Sequence, residues 1–575
     1  MESPRKHTRE RFSVCHELRE CSSAYKCNRS VSQELASCNI MLGKTWPRVR
    51  PQYSNRRQID IEVDQIFSDS TCNHNKRKTK IICAIGPSSC SEEMIGRLLD
   101  EGMSVTRLNF SHGDHALHEH TLQNLRAAVR KRPGCHCAVL LDTKGPEIRT
   151  GLLENGIPVQ LLAGQQLEIT CDSSVKGTSD RIPCNYPHLP ASVKPGSKIL
   201  CDDGNVAMIV QECRSDSVIV KVLNSHMLEE RKNMCFPGAA IRISGITQKD
   251  KHDLLQFALP QAVDIVSGSF VRTANNVRAI RDCLGDKGKH IRIHAKIESV
   301  EALRNIDEIL KVADGVHVSR GDLGMELAPQ QVALAQKMII RKANFAGKPV
   351  VTSTQMLQSM TKCSTPSYAE CTDVANAILD GTDAMMLSAE TATGKYPCEA
   401  VQMMAKICVE AELTLAYEDI YRCMRAITPR PFSLCESIAS TAVQIAIDVQ
   451  ASLIISLTDT GHSTKLLAKY RPRARILAVT ASASTSRQLS GVSRGVSAIR
   501  VQSMIGADKL TLKAINYAKE QMWIQIGDIV VMIHGVQDAV SGATNIVKVI
   551  QADATGFRDS TNFLFKKLQV PSSRN

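Results

Sequence analysis

The sequence predicts an α/β protein that consists of a (β/α)8 TIM barrel, an all-β lid domain inserted into the barrel, and a C-terminal α/β domain with an open sheet. Three observations predict this fold class. Eight short apolar runs alternate with amphipathic stretches of helical spacing from residue 76 onward. The alternation stops after the third run, where short strands separated by Gly, Pro and Asn replace it. It resumes in a shorter set after residue 415.

The apolar runs have the length and composition of strands that are buried in a parallel sheet. They lie at residues 80–86, 104–110, 138–144, 264–270, 291–298, 315–322, 349–355 and 384–390. Between them, stretches such as 92–102 and 330–348 carry apolar residues three and four positions apart, as helices packed on a barrel do. The barrel domain is therefore predicted at 76–145 and 244–415.

The segment at 146–243 predicts a β-rich domain that follows the third barrel strand. Because the loops after barrel strands surround the active site, this domain can act as a lid over it. The second α/β domain is predicted at 416–575, with a smaller parallel sheet and a tail, 552–575, that has no clear signal. Residues 1–75 lack periodicity, and we expect a mobile extension without a catalytic part.

The composition excludes several classes of protein. The chain of 575 residues is 43% hydrophobic and 22% charged, which is typical of soluble globular proteins, and no apolar run is long enough to span a membrane. The net charge is +13, but basic residues are interleaved with acids and aromatic residues make up only 4%, so no nucleic-acid partner is expected. The 21 cysteines are scattered without CxxC pairs, which favours reduced thiols in an intracellular protein.

Polar side chains collect at the carboxyl ends of seven consecutive barrel strands, the second to the eighth. They are Arg107, Asn109, Ser111, His112, Asp142, Thr143, Lys144, Glu147, Arg149, Ser269, Arg272, Lys296, Glu298, Arg320, Asp322, Thr354, Gln355, Ser388 and Glu390. One such residue alone usually caps the next helix. Because all these strand ends meet at one rim of the barrel, the residues together indicate an active site.

The residue types at this rim suit phosphoryl transfer assisted by metal ions. Glu298 and Asp322 follow adjacent strands and are hard carboxylates suited to Mg²⁺ or Mn²⁺. Arg107, Arg149 and Lys296 are cations that can hold a phosphate and stabilise charge during its transfer. A third group supplies several oxygens with a single net charge, which suits a monovalent cation: Asn109, Ser111, Asp142 and Thr143.

Nine stretches, between about residue 76 and about residue 553, resemble the pyruvate kinase family in order and spacing. They are RLNFSHG at 107–113, LDTKGPEIRTG at 141–151, DDG at 202–204, EERKN at 229–233, SRGDLGME at 319–326, LAQKMII at 334–340, STQMLQSM at 353–360, DVANAILDGTD at 373–383 and MLSAET at 386–391. The EERKN segment is most similar to the plant and apicomplexan branch. The resemblance implies transfer of a phosphoryl group from phosphoenolpyruvate to ADP, giving pyruvate and ATP.

The resemblance also implies roles for individual residues. The divalent ion, Mg²⁺ or Mn²⁺, is held by Glu298 and Asp322, and K⁺ by Asn109, Ser111, Asp142 and Thr143. The implied catalytic residues are Lys296, Arg107, Thr354 and Asp202. Phosphoenolpyruvate is bound by Lys296, Gly321, Asp322, Thr354, Ser388 and Glu390. ADP or ATP is bound by Arg107, His112, Arg149 and Pro87 and, from the lid, by Lys232.

Some positions depart from the family pattern, and they leave an alternative open. The replaced positions, none of them an implied metal ligand, are Ala84, Ser299, Ser319, Gln358, Tyr368 and Ala389. A divergent low-activity paralog that binds phosphometabolites or assembles with other subunits is therefore the alternative to an active enzyme. Another enolate chemistry on such a barrel, as in an aldolase, would not need the K⁺ oxygens.

Three further expectations rest on the resemblance. An effector site is expected at 457–463, through Thr458, Thr460, Gly461 and Ser463. Asp459 and His462 replace basic residues of members that fructose 1,6-bisphosphate activates, so weak or no activation by that sugar is expected. The family implies a homotetramer, with Tyr368 at a subunit interface. Four glutamates among the first 20 residues are unlike an organelle presequence, which favours a cytoplasmic location.

Overall fold

The computed structural model of the chain describes residues 77–202, 204–239, 241, 243, 245–535, 544–554 and 556–559. The extension predicted at 1–75 and the tail from residue 560 lie outside these ranges. The predicted fold class is confirmed, since a closed eight-stranded parallel barrel is joined by separate sheets of the lid and of the C-terminal domain. The described ranges contain no helix that is long and apolar enough to cross a membrane.

The chain begins the barrel with three strands and the helices between them. These are β1 Lys80–Ala84, α1 Glu92–Asp100, β2 Val105–Asn109, α2 His115–Arg130 and β3 Ala138–Asp142. Side-chain caps start both helices, because Ser91 accepts a hydrogen bond from Met94 N and Asp114 accepts one from Leu117 N. Each helix therefore begins shortly after the carboxyl end of its strand, where the loop remains free for function.

The lid follows β3 and consists mainly of short strands. They are β4 Val159–Leu161, β5 Gln166–Thr170, β6 Arg181–Pro183, β7 Lys198–Cys201, β8 Val206–Cys213, β9 Ser217–Val222, β10 His226–Leu228 and β11 Met234–Cys235, with helical turns at Glu154–Gly156 and Leu189–Ser192. Six of them form one sheet in the order β11-β7-β8-β9-β5-β6, and β10 pairs with β4. The lid has its own apolar core, which includes Ile169, Tyr186 and Phe236.

The barrel resumes after the lid with five more strands. They are β12 Ile265–Gly268, β13 Arg292–Ile297, β14 Gly315–Ser319, β15 Val350–Ser353 and β16 Ala384–Leu387. The order β1-β2-β3-β12-β13-β14-β15-β16 closes when β16 pairs with β1. All eight predicted strands are confirmed. The sixth and eighth are shorter than predicted because helices begin directly after them, at Arg320 and Ala389.

Helices of this second part surround the barrel. They are α3 Gln248–Asp253, continued by a π turn at Leu254–Ala258, α4 Ala274–Leu284, α5 Val300–Arg304, α6 Ile306–Val312, α7 Arg320–Glu326, α8 Pro329–Phe345, α9 Tyr368–Leu379, α10 Ala389–Ala392 and α11 Pro397–Leu413, with 3-10 turns at Asp286–Gly288 and Gln358–Thr361. The segment that leaves the barrel for the lid lies beside the segment that returns from it. A hydrogen bond of 3.0 Å joins them, donated by Gly145 N and accepted by Asp250. This contact fixes the base of the lid.

The C-terminal domain is a six-stranded sheet with five helices in the described ranges. Its elements are α12 Tyr417–Ile427, α13 Leu434–Asp448, β17 Leu453–Leu457, α14 His462–Lys469, β18 Arg475–Thr480, α15 Ala483–Val492, β19 Val496–Arg500, α16 Ala507–Glu520, β20 Ile529–Gly535, β21 Thr544–Asp553 and β22 Gly556–Asp559. The predicted all-parallel sheet is wrong at one edge, where β21 and β22 are antiparallel. The segment between β20 and β21 is too short for a helical crossover.

Helix α15 of the C-terminal domain docks on the amino-terminal end of the barrel. Arg487 donates to both carboxylate oxygens of the fully buried Asp264, which precedes β12. Val492, at the end of the same helix, completes an apolar cluster inside the barrel together with residues such as Val105 and Ile265. The floor of the barrel is therefore partly made by the other domain.

Candidate active site

Lys296, near the carboxyl end of β13, lies at the centre of the predicted rim. Its Nζ is 2.8 Å from Glu298 Oε1 and 3.6 Å from Asp142 Oδ1, and it donates a hydrogen bond to Ser269 Oγ at 3.1 Å. Burial disfavours the ammonium, but the carboxylates of Asp142 and Glu298 more than offset this and raise the pKa of Lys296. The lysine is therefore a fixed positive charge rather than a base.

Asp142 and Arg107 form a buried ion pair beside this lysine. Arg107 Nε and Nη2 lie 2.8 and 2.6 Å from Asp142 Oδ2, across the neighbouring strands β2 and β3. Burial opposes ionisation of the carboxyl, but Lys296 and Arg107 together lower the pKa of Asp142 to about 2. One carboxylate thus holds two cations at the rim.

Glu298 and Asp322 bring two carboxyl groups together. Glu298 is buried, and its Oε2 accepts a hydrogen bond from Phe270 N at 2.5 Å. Its Oε1 pairs with the Lys296 ammonium at 2.8 Å and makes no further contact of hydrogen-bond type among the described residues. Burial and the negative charge of the adjacent Glu298 raise the pKa of Asp322 well above its usual range. Two acids this close favour either a shared proton or a cation between them.

The oxygens predicted for a monovalent cation lie at the ends of β2 and β3, and Ser269 connects two of them. Asn109 Oδ1 accepts from Ser111 N at 3.2 Å. Ser269 Oγ donates to Asp142 Oδ1 and to the carbonyl of Thr143, and Ser269 N donates to Thr143 Oγ1. Ser269 is absent from the predicted metal and substrate sets, although its place at the end of the fourth strand was a signal for it.

Thr354 has a left-handed backbone, with φ +75°, as does Gln355 with φ +55°. Such a conformation is costly for a β-branched residue, and Arg320 stabilises it by donating to the carbonyl of Thr354 through Nε and Nη2. The Thr354 methyl group would be 2.9 Å from a Cβ at Gly321. Thr354 and the start of α7 are therefore in close contact, and only glycine fits there.

Asp202 and Lys232 pair within the lid. Lys232 Nζ lies 3.0 Å from Asp202 Oδ1 and 2.9 Å from Glu229 Oε2, and His226 Nε2 is 2.8 Å from Asp202 Oδ2. Burial opposes ionisation of Asp202, but the hydrogen bonds from His226 and Lys232 lower its pKa. His226 was missed by sequence reasoning, because it is 24 residues from its partner and belongs to no recognised motif.

The lid reaches the rim at helix α7. Cys235 Sγ is 3.8 Å from Glu326 Oε1, and Asn233 Nδ2 is 3.8 Å from Met325 Sδ. Arg149 Nε donates to Glu147 at 2.7 Å, and its Nη1 donates to the carbonyl of Arg231 at 2.5 Å. The segment with Arg149 is thus held against the segment with Lys232.

Two predicted nucleotide residues lie in loops near the first strands. His112 has an exposed side chain, but partial shielding of its ring from water, together with the charge of Arg149, lowers its pKa. Pro87 is exposed in a turn after β1. The nucleotide-binding role of both residues stays a prediction.

Ser388 and Glu390 lie after β16. The Glu390 carboxylate is buried and accepts hydrogen bonds from Leu357 N at 3.2 Å and from Ser388 N at 2.8 Å. It thereby joins the loops that follow β15 and β16. The geometry gives Glu390 a positioning role, since both of its oxygens are used by backbone N–H groups.

The predicted effector loop lies between β17 and α14. Thr458 Oγ1 accepts a hydrogen bond from Gly461 N, and the buried Ser463 hydroxyl lies 3.3 Å from Ser456 Oγ. The carbonyl of Thr460 accepts from Arg292 Nη2, at the start of barrel strand β13. Internal contacts therefore already use two of the hydroxyls that were predicted for a ligand.

A closed parallel barrel with a fixed ammonium, paired carboxyls and an Arg–Asp pair on its catalytic rim defines a phosphotransferase. The family model "Pyruvate kinase, barrel domain" matches residues 76–401, and "Pyruvate kinase, alpha/beta domain" matches residues 436–550. The chain belongs to the pyruvate kinase family.

Similar proteins include a pyruvate kinase of Eimeria tenella, 48% identical over 495 residues that cover 86% of this chain and 93% of the relative. The cytosolic isozyme of Glycine max is 44% identical over 492 residues, which cover 82% and 95% of the two chains. A crystal structure of a Cryptosporidium parvum pyruvate kinase has a TM-score of 0.82 and 44% identity, and covers 86% of this chain and all of that one. These matches include the plant and apicomplexan proteins that the resemblance indicated, and they give no support to a low-activity paralog.

Proposed function

We propose that the chain transfers the phosphoryl group of phosphoenolpyruvate to ADP, forming pyruvate and ATP in the last step of glycolysis. The observation that carries this proposal is the ammonium of Lys296, which Asp142 and Glu298 keep charged at the catalytic rim. A fixed positive charge stabilises a phosphoryl group in transit. A pyruvate kinase of Cryptosporidium parvum solved in complex with ADP, with a TM-score of 0.77, 44% identity and coverage of 85% of this chain and 98% of that one, supports ADP as the acceptor.

Glu298 and Asp322 are the residues that would hold Mg²⁺ or Mn²⁺. Their fit rests on the pairing of two carboxyls at the rim, where burial and the charge of Glu298 raise the pKa of Asp322 and a cation would offset both effects. A divalent ion supplies positive charge to substrate oxygens that become more negative during transfer. Hard carboxylate oxygens are the ligands that such an ion prefers.

Asn109, Ser111, Asp142 and Thr143 would hold K⁺. The fit rests on their oxygens, which offer amide, hydroxyl, carboxylate and carbonyl acceptors with one net negative charge. Ser269 orients two of these residues through the hydrogen bonds of its hydroxyl. Because Asp142 also pairs with Arg107 and Lys296, a K⁺ ion here would help to fix the phosphate-binding cations.

Phosphoenolpyruvate would bind with its phosphoryl group against Arg107 and Lys296 and its carboxylate against the N–H groups of Gly321 and Asp322. Lys296 then neutralises both the transferring group and the enolate oxygen that forms when the P–O bond breaks. The lack of a side chain at the partly buried Gly321 supports this arrangement, because no Cβ shields its backbone N–H group.

The enolate must gain a proton at carbon to become pyruvate. Thr354 would assist this step through a water molecule, because its strained backbone directs it toward the start of α7. Ser388 would contact the substrate from the neighbouring loop. Glu390 would act by holding that loop to the one with Thr354, through its bonds to the backbone of Leu357 and Ser388.

ADP would bind between the rim and the lid. Lys232 pairs with Asp202 and Glu229, and the phosphates of ADP would compete for its ammonium when the lid closes. Arg149 would contact the same phosphates, with His112 and Pro87 beside the nucleotide. Asp202 would then be released toward the reacting groups, which agrees with its predicted catalytic role.

A homotetramer and a cytoplasmic location complete the proposal. Tyr368 is 93% exposed at the start of α9, where an aromatic side chain supports a contact between subunits. The cytosolic isozymes of Glycine max and Nicotiana tabacum support the location.

Fructose 1,6-bisphosphate is expected to activate the enzyme weakly or not at all. Asp459 repels a phosphate, and the hydroxyls of Thr458 and Ser463 are already in internal contacts. The check is a saturation curve for phosphoenolpyruvate with and without this sugar. A curve that sharpens strongly with the sugar would contradict the expectation.

Pyruvate formation by the full chain tests the function directly. The assay contains phosphoenolpyruvate, ADP and Mg²⁺, with K⁺ in one series and Na⁺ in the other. We expect turnover on the order of 10–10³ s⁻¹ in K⁺ and a steep fall in Na⁺. Folded protein that binds phosphoenolpyruvate but has no turnover in either salt would favour the low-activity paralog instead.

A further inference from the structure

Two cysteines of the lid lie side by side at the end of a parallel strand pair. Strands β5 and β6 pair with Thr170 opposite Pro183, and Cys184 N donates to the carbonyl of Thr170 at 2.8 Å. The next residues along the two strands, Cys171 and Cys184, are therefore opposite each other. Neither thiol is in a disulfide, and Cys184 Sγ lies 3.9 Å from the carbonyl of Tyr186.

This register suits a disulfide. Neighbouring strands are about 4.8 Å apart, and the Cα atoms of disulfide-bonded cysteines are about 4.4–6.8 Å apart. A bond between Cys171 and Cys184 is therefore compatible with the backbone register of β5 and β6.

The two thiols differ in reactivity. The neighbouring Cys184 thiol lowers the pKa of Cys171 below its usual value, although partial burial opposes this. Cys171 is half-buried and can meet a small oxidant, whereas Cys184 is buried. Burial instead raises the pKa of two other lid thiols, Cys213 and Cys235. A partly exposed thiolate beside a second, sheltered thiol is the usual arrangement of a redox-active pair.

The thiol pair is connected to the proposed nucleotide residues. Cys184 forms an antiparallel bridge with Thr150, and Thr150 exchanges two hydrogen bonds with the backbone of Lys232, both 2.8 Å long. The next residue, Asn185, donates from its backbone N to the carbonyl of Arg149 at 3.1 Å. The strand end with Cys184 therefore supports the segments that carry Arg149 and Lys232.

We propose that Cys171 and Cys184 are a site of reversible oxidation by hydrogen peroxide, and that the resulting disulfide changes how the lid binds ADP. The Cys171 thiolate attacks one oxygen of the peroxide, the O–O bond breaks, and the leaving hydroxide takes up a proton to become water. The sulfur of Cys184 then attacks the sulfenic acid of Cys171, the S–O bond breaks, and a second water leaves with the Cys184 proton. Two electrons pass from the thiols to the peroxide, and a dithiol returns them. The effect on ADP rests on the proposed function, whereas the disulfide does not.

Peptide mapping of the full chain tests the disulfide. The protein is treated with a few equivalents of hydrogen peroxide, its free thiols are blocked with N-ethylmaleimide, and it is digested with trypsin. Cleavage after Lys176 and Arg181 separates the two cysteines, so the disulfide joins two peptides. We expect this linked pair in the wild-type protein and in Cys213→Ser, the matched control from the same domain. Cys171→Ser should lack it, and Cys184→Ser should leave a sulfenic acid at Cys171 that dimedone traps.

Kinetics on the same samples test the consequence. We expect the KM for ADP to rise several-fold after oxidation of the wild-type protein and of Cys213→Ser, to return with dithiothreitol, and to stay constant in Cys171→Ser. Folded wild-type protein that yields no linked peptides, or that oxidises first at other cysteines, overturns the site. A disulfide without any change in the KM for ADP overturns the link to the nucleotide and leaves the oxidation site supported.

Discussion

The ammonium of Lys296 separates two buried carboxylates, those of Asp142 and Glu298. Lys296→Met removes that charge, leaves the carboxylates to repel each other and removes a stabilising donor from the phosphoryl group. We expect kcat to fall at least about 10²–10³-fold, as for other preorganised electrostatic groups. The measurement is pyruvate formation at saturating substrates, with Lys311→Met, on an exposed helix position, as the control. A loss of less than tenfold in folded protein would contradict the role of Lys296.

Gly321 tests how tightly the start of α7 must fit against Thr354. A Cβ at Gly321 would be 2.9 Å from Thr354 Cγ2, so one of the two segments must shift by several tenths of an ångström. We expect Gly321→Ala to lower kcat about 10²-fold, because small misplacements of reacting groups are costly.

Gly324→Ala is a matched control on the same helix, since its Cβ would meet Val332 at 3.8 Å, an ordinary contact. It should retain most of the activity. Equal effects of the two substitutions on the steady-state kinetics would indicate a general loss of helix α7 rather than a close fit at the substrate.

The residue types of the candidate site were largely predictable from the sequence, but the hydrogen bonds and ion pairs that connect them were not. Residues such as Lys296 and Asp322 were found because charged groups at strand ends have few structural alternatives. The role of Ser269 and His226 depends on partners far along the chain, which no local pattern reveals. Glu390 shows that the position at a strand end does not by itself fix the role of a carboxylate, because its oxygens accept hydrogen bonds from backbone N–H groups.

At the scale of elements, helix α15 joins two domains, and the ion pair of its partly exposed Arg487 with Asp264 is one of the contacts between them. Asp264 has no exposed surface, and Arg487 donates three hydrogen bonds to it. Arg487→Ala removes the charged partner of this buried carboxylate and leaves it with uncharged donors. We expect a loss of about 2–4 kcal/mol in the free energy of unfolding. The shift of the thermal midpoint measures it. Arg422→Ala, which breaks exposed pairs on α12, should cost less than about 0.5 kcal/mol and serves as the control.

The strands of the barrel were predictable because they are buried on both sides and therefore read as continuous apolar runs. The direction of each strand in the C-terminal sheet was not predictable in this way. An antiparallel strand such as β21 has an apolar pattern similar to that of a parallel strand. The available signal was the interval 536–543, which is too short for a crossover to a parallel strand. The short β22 has too few apolar residues to be recognised alone.

At the scale of the whole molecule, two histidines buried in the barrel make stability depend on pH. His294 Nδ1 is 3.2 Å from His317 Nε2, and burial lowers the pKa of His294 to about 4 and that of His317 well below its usual value. Below pH 6.5 these two histidines bind protons in the unfolded chain, whereas in the folded chain they stay neutral until a lower pH. Stability is therefore lost as pH falls from about 6.5 to about 4, by up to about 1.4 kcal/mol per pH unit for each histidine.

Denaturant unfolding at several pH values between 7 and 5 checks this expectation. In His294→Gln, the free energy of unfolding should depend less steeply on pH, because one of the two buried histidines no longer contributes. His188→Gln, at an exposed position of the lid, should keep the slope of the wild type. An unchanged slope in His294→Gln would mean that the barrel histidines do not control the acid sensitivity.

The position of Val492 has a consequence for protein synthesis. The first barrel strand, β1, pairs with β16, and the apolar floor beneath both is completed by a side chain more than a hundred positions further on. A ribosome releases the chain from its amino end, so the barrel leaves the exit tunnel long before its floor does. The nascent barrel therefore stays open at one end until the C-terminal domain emerges, and we expect its apolar interior to be exposed there during that interval.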